Sequence, residues 1–208
     1  MKNIKIVYVI VALIIGAIFF YSLKGGKESK EDYSTRINKE RKEKDRFMRI
    51  SDESPFSEKM KKTFKGLDYF PPNQKFRINA RLIPIGNQSQ IELPTSSGQN
   101  KVFTRYAYAE FKWEGKLQNL LLLRSEDEED PKKLFLIFSD ATSGEETYGA
   151  GRYIDLELKQ KNQIEIDFNK AYNPYCNYNY SYSCPFPPKE NQLKVAIRAG
   201  EKTYENND

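Results

Sequence analysis

Residues 152–169 read RYIDLELKQKNQIEIDFN. Ile154, Leu156 and Leu158 alternate with Asp155, Glu157 and Lys159, and Ile164, Ile166 and Phe168 alternate with Glu165, Asp167 and Asn169. A period of two is the mark of a strand with one buried face. The short polar segment between the two runs predicts a β-hairpin. Outward from it, 102–113 and 116–123 predict a second hairpin about Glu114-Gly115. The continuous apolar run LFLIF (134–138) reads as a buried central strand. Residues 76–85, 90–93 and 192–198 bring the count to about eight strands. The expected fold is mainly β, an antiparallel sandwich or barrel. No βαβ rhythm appears between Gly66 and Tyr204, which argues against a doubly wound nucleotide fold.

Composition narrows the chemistry. The 208 residues contain no histidine. That removes Ser-His-Asp triads, Cys-His dyads, His-ligated zinc or haem, and any His general base. With two cysteines, no four-cysteine cage forms within one chain. Lys plus Arg is 34 against 29 Asp plus Glu, a net charge of +5 without a concentrated basic region. Nucleic acid is therefore not an expected partner.

Residues 6–23, IVYVIVALIIGAIFFYSL, are long enough to span a hydrocarbon core as a helix. Lys2 and Lys5 precede the run, no A-x-A site ends it, and no lipidation cysteine follows. The expectation is a transmembrane signal anchor over 1–24. It makes the chain a single-pass protein of the cytoplasmic membrane with its C-terminal domain outside the cytoplasm. Residues 25–49 form a charged connector, helical from about residue 32 to 48, that holds the domain off the membrane. Residues 50–208 form the single β-rich domain, opened by a short helix over 57–64 with Ser57 as cap.

Two segments concentrate polar chemistry. Residues 139–153 (SDATSGEETYGAGRY) join two strands and are rich in side chains that donate and accept hydrogen bonds. They lack the phosphate-loop pattern and the helix that should follow it. Residues 167–191 carry five tyrosines around Cys176 and Cys184. In an oxidising compartment these cysteines would close a disulfide; in a reducing one they would stay thiols or form half of a metal site.

The run F-x-D-x-T-S-G-x-x-T-Y-G-A-G-R-Y (138–153), D-F-N-x-A-Y-N-P-x-C (167–176), C-P-x-P-P-x-E-N-x-L (184–193) and A-G-E-K (199–202) resembles the family known as domain of unknown function 1684. Glu40, Arg41, Lys44, Asp45 and Phe47, Ser54-Pro55, and Gly66-Leu67-x-Tyr69-Phe70-Pro71-Pro72 also fit it. The resemblance spans about 40–202 and implies no activity. It does imply that the motif residues belong together.

With the strand reading, it predicts that Asp140, Thr142, Thr147, Tyr148, Arg152, Asp167, Asn169, Tyr172 and Asn173 line one polar ligand pocket beside a Cys176–Cys184 disulfide. The leading expectation is a binding or structural module of the cell envelope, with a small molecule or an envelope protein as partner and no cofactor or metal. The alternative is a hydrolase or lyase in which Asp140 and Asp167 (or Glu190) act as acid and base, assisted by Tyr148 or Tyr172. That reading requires the two aspartates to face each other across a cleft. It fails if either is buried against Arg152 and backbone amides. A third reading places a metal on Asp167, Cys176 and Cys184.

Overall fold

Alternation produces strands wherever the apolar side can be covered. In the computed structural model, which describes residues 28–204 and Ile15, seven strands form one antiparallel sheet. They are β1 (Arg77–Pro84), β2 (Gln90–Pro94), β3 (Asn100–Trp113), β4 (Lys116–Ser125), β5 (Lys133–Phe138), β6 (Arg152–Glu157) and β7 (Gln163–Asp167). The order is β6-β5-β4-β3-β1-β7, with β2 paired to β3 beside this path. The sheet curls until its two end strands, β6 and β7, lie against each other, giving a nearly closed barrel. The β3–β4 hairpin forms where the sequence places it. Glu114 and Gly115 both take positive φ, 48° and 77°, as a two-residue turn of right-handed strands requires.

The expected hairpin of β6 with β7 does not form as a pair. β6 pairs with β5 and β7 with β1. The connector is fastened on both sides of the seam: Leu158 N–H donates to Lys132 O at 2.8 Å, and Leu82 N–H to Asn162 O at 2.9 Å. These anchors spread the two strands across the opening of the barrel.

The eighth strand is also absent, so the count of about eight falls to seven. Residues 192–198 do not extend into a strand: Leu193 N–H donates to Ser139 O at 2.8 Å and Val195 O accepts from Ala141 N–H at 3.1 Å, but at Ile197 side chains take both backbone groups. Arg152 donates to Ile197 O and Asp140 accepts from Ile197 N–H. Leu193, Ile197 and Ala199 still enter the main core, with residues such as Phe111, Leu120, Leu136, Ile154 and Ile166.

The continuous run in β4 is explained by burial on both faces. Leu120 and Leu122 face the main core; Leu121 and Leu123 face a second cluster with Phe103, Ile137 and Tyr153. That outer cluster is roofed by the tyrosine- and cysteine-bearing segment. β4 and β5 share one paired position, Leu123 with Phe135. Elsewhere the buried Asn191 amide bridges them, donating to Leu121 O and Ile137 O and accepting from Leu121 N–H.

The charged connector is a helix, α1 (Lys30–Ile50), capped by Ser29. It is not a solvated spacer. Tyr33, Ile37 and Met48 are buried, and the helix docks on the barrel through the Tyr33 hydroxyl, which donates to both Asp167 carboxylate oxygens at 2.8 and 2.9 Å. Asp45 accepts from Leu67 N–H at 3.0 Å. A second helix, α2 (Glu58–Thr63), is capped by Ser57 as expected.

The expected transmembrane anchor, and with it the single-pass placement at the cytoplasmic membrane, is corrected. Among the described residues no helix is long and apolar enough to cross a membrane. Apart from Ile15, residues 6–23 lie outside the described residues.

Tyr33→Phe tests whether α1 belongs to the folded body. Removing the hydroxyl should destabilise the chain by about 1–3 kcal/mol in urea unfolding, the cost of leaving a buried carboxylate short of a donor. Unchanged stability would mean that this contact does not hold the helix.

Candidate functional site

The nine polar residues expected in one pocket divide among several clusters. The first sits behind β5 and β6. Arg152 is wholly buried, and its Nη2 donates to Asp140 Oδ2 at 2.7 Å and to Ile197 O at 3.0 Å. Its Nη1 donates to Ala199 O at 2.5 Å and Glu201 O at 3.2 Å. The other Asp140 oxygen accepts from Thr142 N–H, from Thr142 Oγ1 at 2.7 Å, and from Ile197 N–H at 3.2 Å. Thr147 Oγ1 closes the set at 2.9 Å from Thr142 Oγ1. Burial pushes the Arg152 pKa down while Asp140 opposes that shift. A carboxylate so saturated with donors has no free lone pair facing solvent. The cluster ties the 139–147 turn to the 197–201 chain.

In the second cluster Asp167 accepts from Tyr33, from Asn169 N–H at 3.1 Å and from Asn169 Nδ2 at 2.9 Å. Asn169 in turn holds Asn73 through N–H to Oδ1 and Nδ2 to O, both 2.9 Å. Asp140 and Asp167 share no partner. The first is sealed against Arg152 and amides, the arrangement under which the two-carboxylate hydrolase fails.

Asn173 joins a cluster that the sequence reading missed, around the fully buried Glu201. This carboxylate accepts from Asn173 Nδ2 at 2.9 Å, Lys44 Nζ at 2.8 Å and the Tyr178 hydroxyl. Burial, then the Glu201 charge, hold the Tyr178 hydroxyl pKa well up. Gly200 lets the chain reach this position. Its φ is +77°, and a Cβ there would lie 2.6 Å from Ala171 O. Glu201 was visible only as one letter of A-G-E-K.

Tyr148 goes to the cysteines, its hydroxyl 3.8 Å from Cys176 Sγ. The expected disulfide is absent: Cys176 and Cys184 are buried, unbonded thiols. Cys184 Sγ instead accepts from Cys176 N–H at 3.2 Å. The interaction with the Cys184 side chain pulls the Cys176 thiol down to about 6 and pushes Cys184 up. The proposed metal set fails as well, because no group of three or more Cys, Asp or Glu able to hold a metal exists among the described residues.

Tyr172 lines a largely aromatic groove of about 550 Å³ on the outer face of the sheet. Phe103 of β3, Phe135 of β5 and Tyr153 of β6 form its floor, with Tyr172, Tyr175 and Tyr182 along the walls. The rings meet at steep angles, 73° for Phe135 with Tyr153 and 83° for Tyr153 with Tyr172. Tyr153 is fixed by its hydroxyl, which donates to Pro185 O at 2.6 Å.

Asp155, read from sequence as a solvent-facing strand position, stands in the groove wall. Its Oδ2 accepts from the Tyr172 hydroxyl at 3.0 Å. No basic group lies within 4.0 Å of it among the described residues. Surrounding protein raises the Asp155 pKa, opposed by the Tyr172 hydrogen bond and more distant Lys44. The residue remains exposed at the groove mouth, so solvent limits that rise. A strand alternation cannot reveal this role, because the wall opposite Asp155 comes from residues 172–185.

Fold and site together define a mainly β, nearly closed antiparallel barrel with a roofed outer face and an aromatic groove. The chain belongs to the family described as protein of unknown function (DUF1684), whose model matches residues 62–202. Comparison with curated proteins gives no match. Among solved structures it is similar to an uncharacterised protein from gene locus rrnAC0354 of Haloarcula marismortui, determined by solution NMR. The identity is 34% and the TM-score 0.66, covering 83% of this chain and 95% of the other.

Asp140→Ala should cost about 3–5 kcal/mol in urea unfolding, because it strands a buried guanidinium. The double variant Asp140→Leu with Arg152→Met should not recover that loss, because it leaves the carbonyls of Ile197, Ala199 and Glu201 and the amides of Thr142 and Ile197 without partners. An Asp140→Ala protein as stable as the parent would show that the pair is not structural.

Proposed function

We propose that this chain is a small-molecule-binding module rather than an enzyme, and that its ligand has a flat, apolar body carrying a hydrogen-bond donor or positive charge. The observation that carries the reading is the aromatic groove with Asp155 in its wall. Ring faces supply apolar contact and attract cations. Asp155 supplies an acceptor that lacks a basic partner of its own. Pockets of this size, mostly apolar with a few placed polar groups, are the usual form of small-ligand sites. The sealed Asp140 argues against the hydrolase alternative.

The test is a ligand-observed NMR screen of the full chain with aromatic amines and their neutral counterparts. Phe135→Ala should weaken binding of both sets. Asp155→Asn should weaken the amines by about tenfold and leave the neutral compounds unchanged, the scale of a charge-assisted hydrogen bond. No binding by any compound, or binding indifferent to both variants, would sink the reading.

pH supplies a second check. Amine binding needs ionised Asp155, so affinity should fall as pH drops through its pKa. That fall should begin at higher pH than for an ordinary surface aspartate, because the Asp155 pKa is raised. A pH-independent affinity would exclude Asp155 as the counter-ion.

A further inference from the structure

Cys184 lines the aromatic groove, and Cys176 belongs to the same buried cluster of side chains. The two stand on different supports. Cys176 is part of one 3₁₀ turn, Tyr175–Asn177. Cys184 is pinned to the β2–β3 turn through Ser96: its N–H donates to Ser96 Oγ at 3.1 Å, and its O accepts from Ser96 N–H at 3.0 Å. The chain between them reaches solvent at Tyr180, which is almost fully exposed.

The supports bring the thiols together. Cys176 N–H donates to Cys184 Sγ at 3.2 Å, which sets the second sulfur against the backbone that carries the first. The Tyr148 hydroxyl approaches Cys176 Sγ to 3.8 Å. Contacts that converge on a sulfur favour its thiolate. The Cys184 side chain is the largest cause of the lowered Cys176 pKa, and Tyr148 and Ser96 act in the same direction. Cys184 is pushed the other way and keeps its proton. A thiol prepared to ionise beside one that stays protonated suits an attacking and a resolving cysteine. Burial decides the oxidant. Cys176 is 2% and Cys184 7% exposed, so the disulfide of another folded protein does not reach them, whereas a hydroperoxide is little larger than water.

We infer that Cys176 and Cys184 form a peroxide-reactive dithiol site, with Cys176 attacking and Cys184 resolving. The structure holds its reduced form. The Cys176 thiolate attacks one oxygen of the hydroperoxide, the O–O bond breaks, and the other oxygen leaves and takes up a proton. Cys176 is oxidised to a sulfenic acid and the peroxide is reduced. The Cys184 sulfur then attacks the sulfenic sulfur, the S–O bond breaks, and the hydroxyl leaves as water with the Cys184 proton. With hydrogen peroxide the balance is two thiols and one peroxide to one disulfide and two waters. This chemistry does not depend on what the groove binds.

Stoichiometric hydrogen peroxide on the full chain is the probe. The expected product is a monomer about 2 Da lighter, closed to alkylation and restored by dithiothreitol. Cys184→Ser should stop at a sulfenic acid on Cys176, captured by dimedone. Cys176→Ser should react at least about tenfold more slowly, because its remaining thiol stays protonated. In urea the two variants should react alike, since the asymmetry belongs to the fold. If both cysteines of the parent still alkylate fully after peroxide, or if oxidation only joins separate copies, they are structural thiols and the inference falls. Folded Cys176→Ser reacting as fast as Cys184→Ser would overturn the assignment of roles. The parent measurement needs no variant, so it decides the question even where a variant fails to fold.

Discussion

Arg152 enters the fold with no solvent contact, and the ordering of the C-terminal chain follows from how it is satisfied. A guanidinium in that position needs acceptors on several sides. Asp140 provides one, and the carbonyls of Ile197, Ala199 and Glu201 provide the others. Those carbonyls lie at and beyond the end of the segment expected as an eighth strand. Its first half pairs with the 139–141 backbone, and from Ile197 onward the backbone turns to Arg152 and Asp140 instead. Glu201 is thereby brought to the place where Lys44, Asn173 and Tyr178 meet.

From that junction α1 becomes part of the body. Lys44 reaches Glu201, Tyr33 reaches Asp167, and Arg41 lies across Tyr69. A helix whose surface is mostly charged is held by a few buried side chains and by polar contacts at the ends of strands. Its charge pattern also supports local pairs such as Arg36 with Glu40. The long-range contacts to Asp167 and Glu201 distinguish a docked helix from a free one.

The polar groups therefore have two different roles. Asp140, Arg152, Thr142 and Thr147 satisfy one another and are structural, although their motif looked like a ligand loop. Even there Arg152 Nε has no partner, as Arg41 Nε and the Tyr69 hydroxyl have none elsewhere, and Asp155 stands without a basic neighbour within 4.0 Å among the described residues. Binding chemistry is better sought where donors, acceptors and charges are left over than where polar residues are dense in sequence.

Local pattern was enough for much of the sheet. Period-two alternation located β6 and β7, Glu114-Gly115 located the β3–β4 turn, and LFLIF announced a strand covered on both sides. Ser57 marked a helix start, since a cap is a contact between near neighbours. The absence of histidine excluded whole classes of catalyst. What pattern could not supply was pairing across distance. Whether β6 and β7 join, whether 192–198 is a strand, and whether Asp140 meets Asp167 or Arg152 all depend on which backbone and side-chain groups remain unsatisfied once the sheet has curled. The groove belongs to the same category, because it is enclosed by residues far apart in sequence.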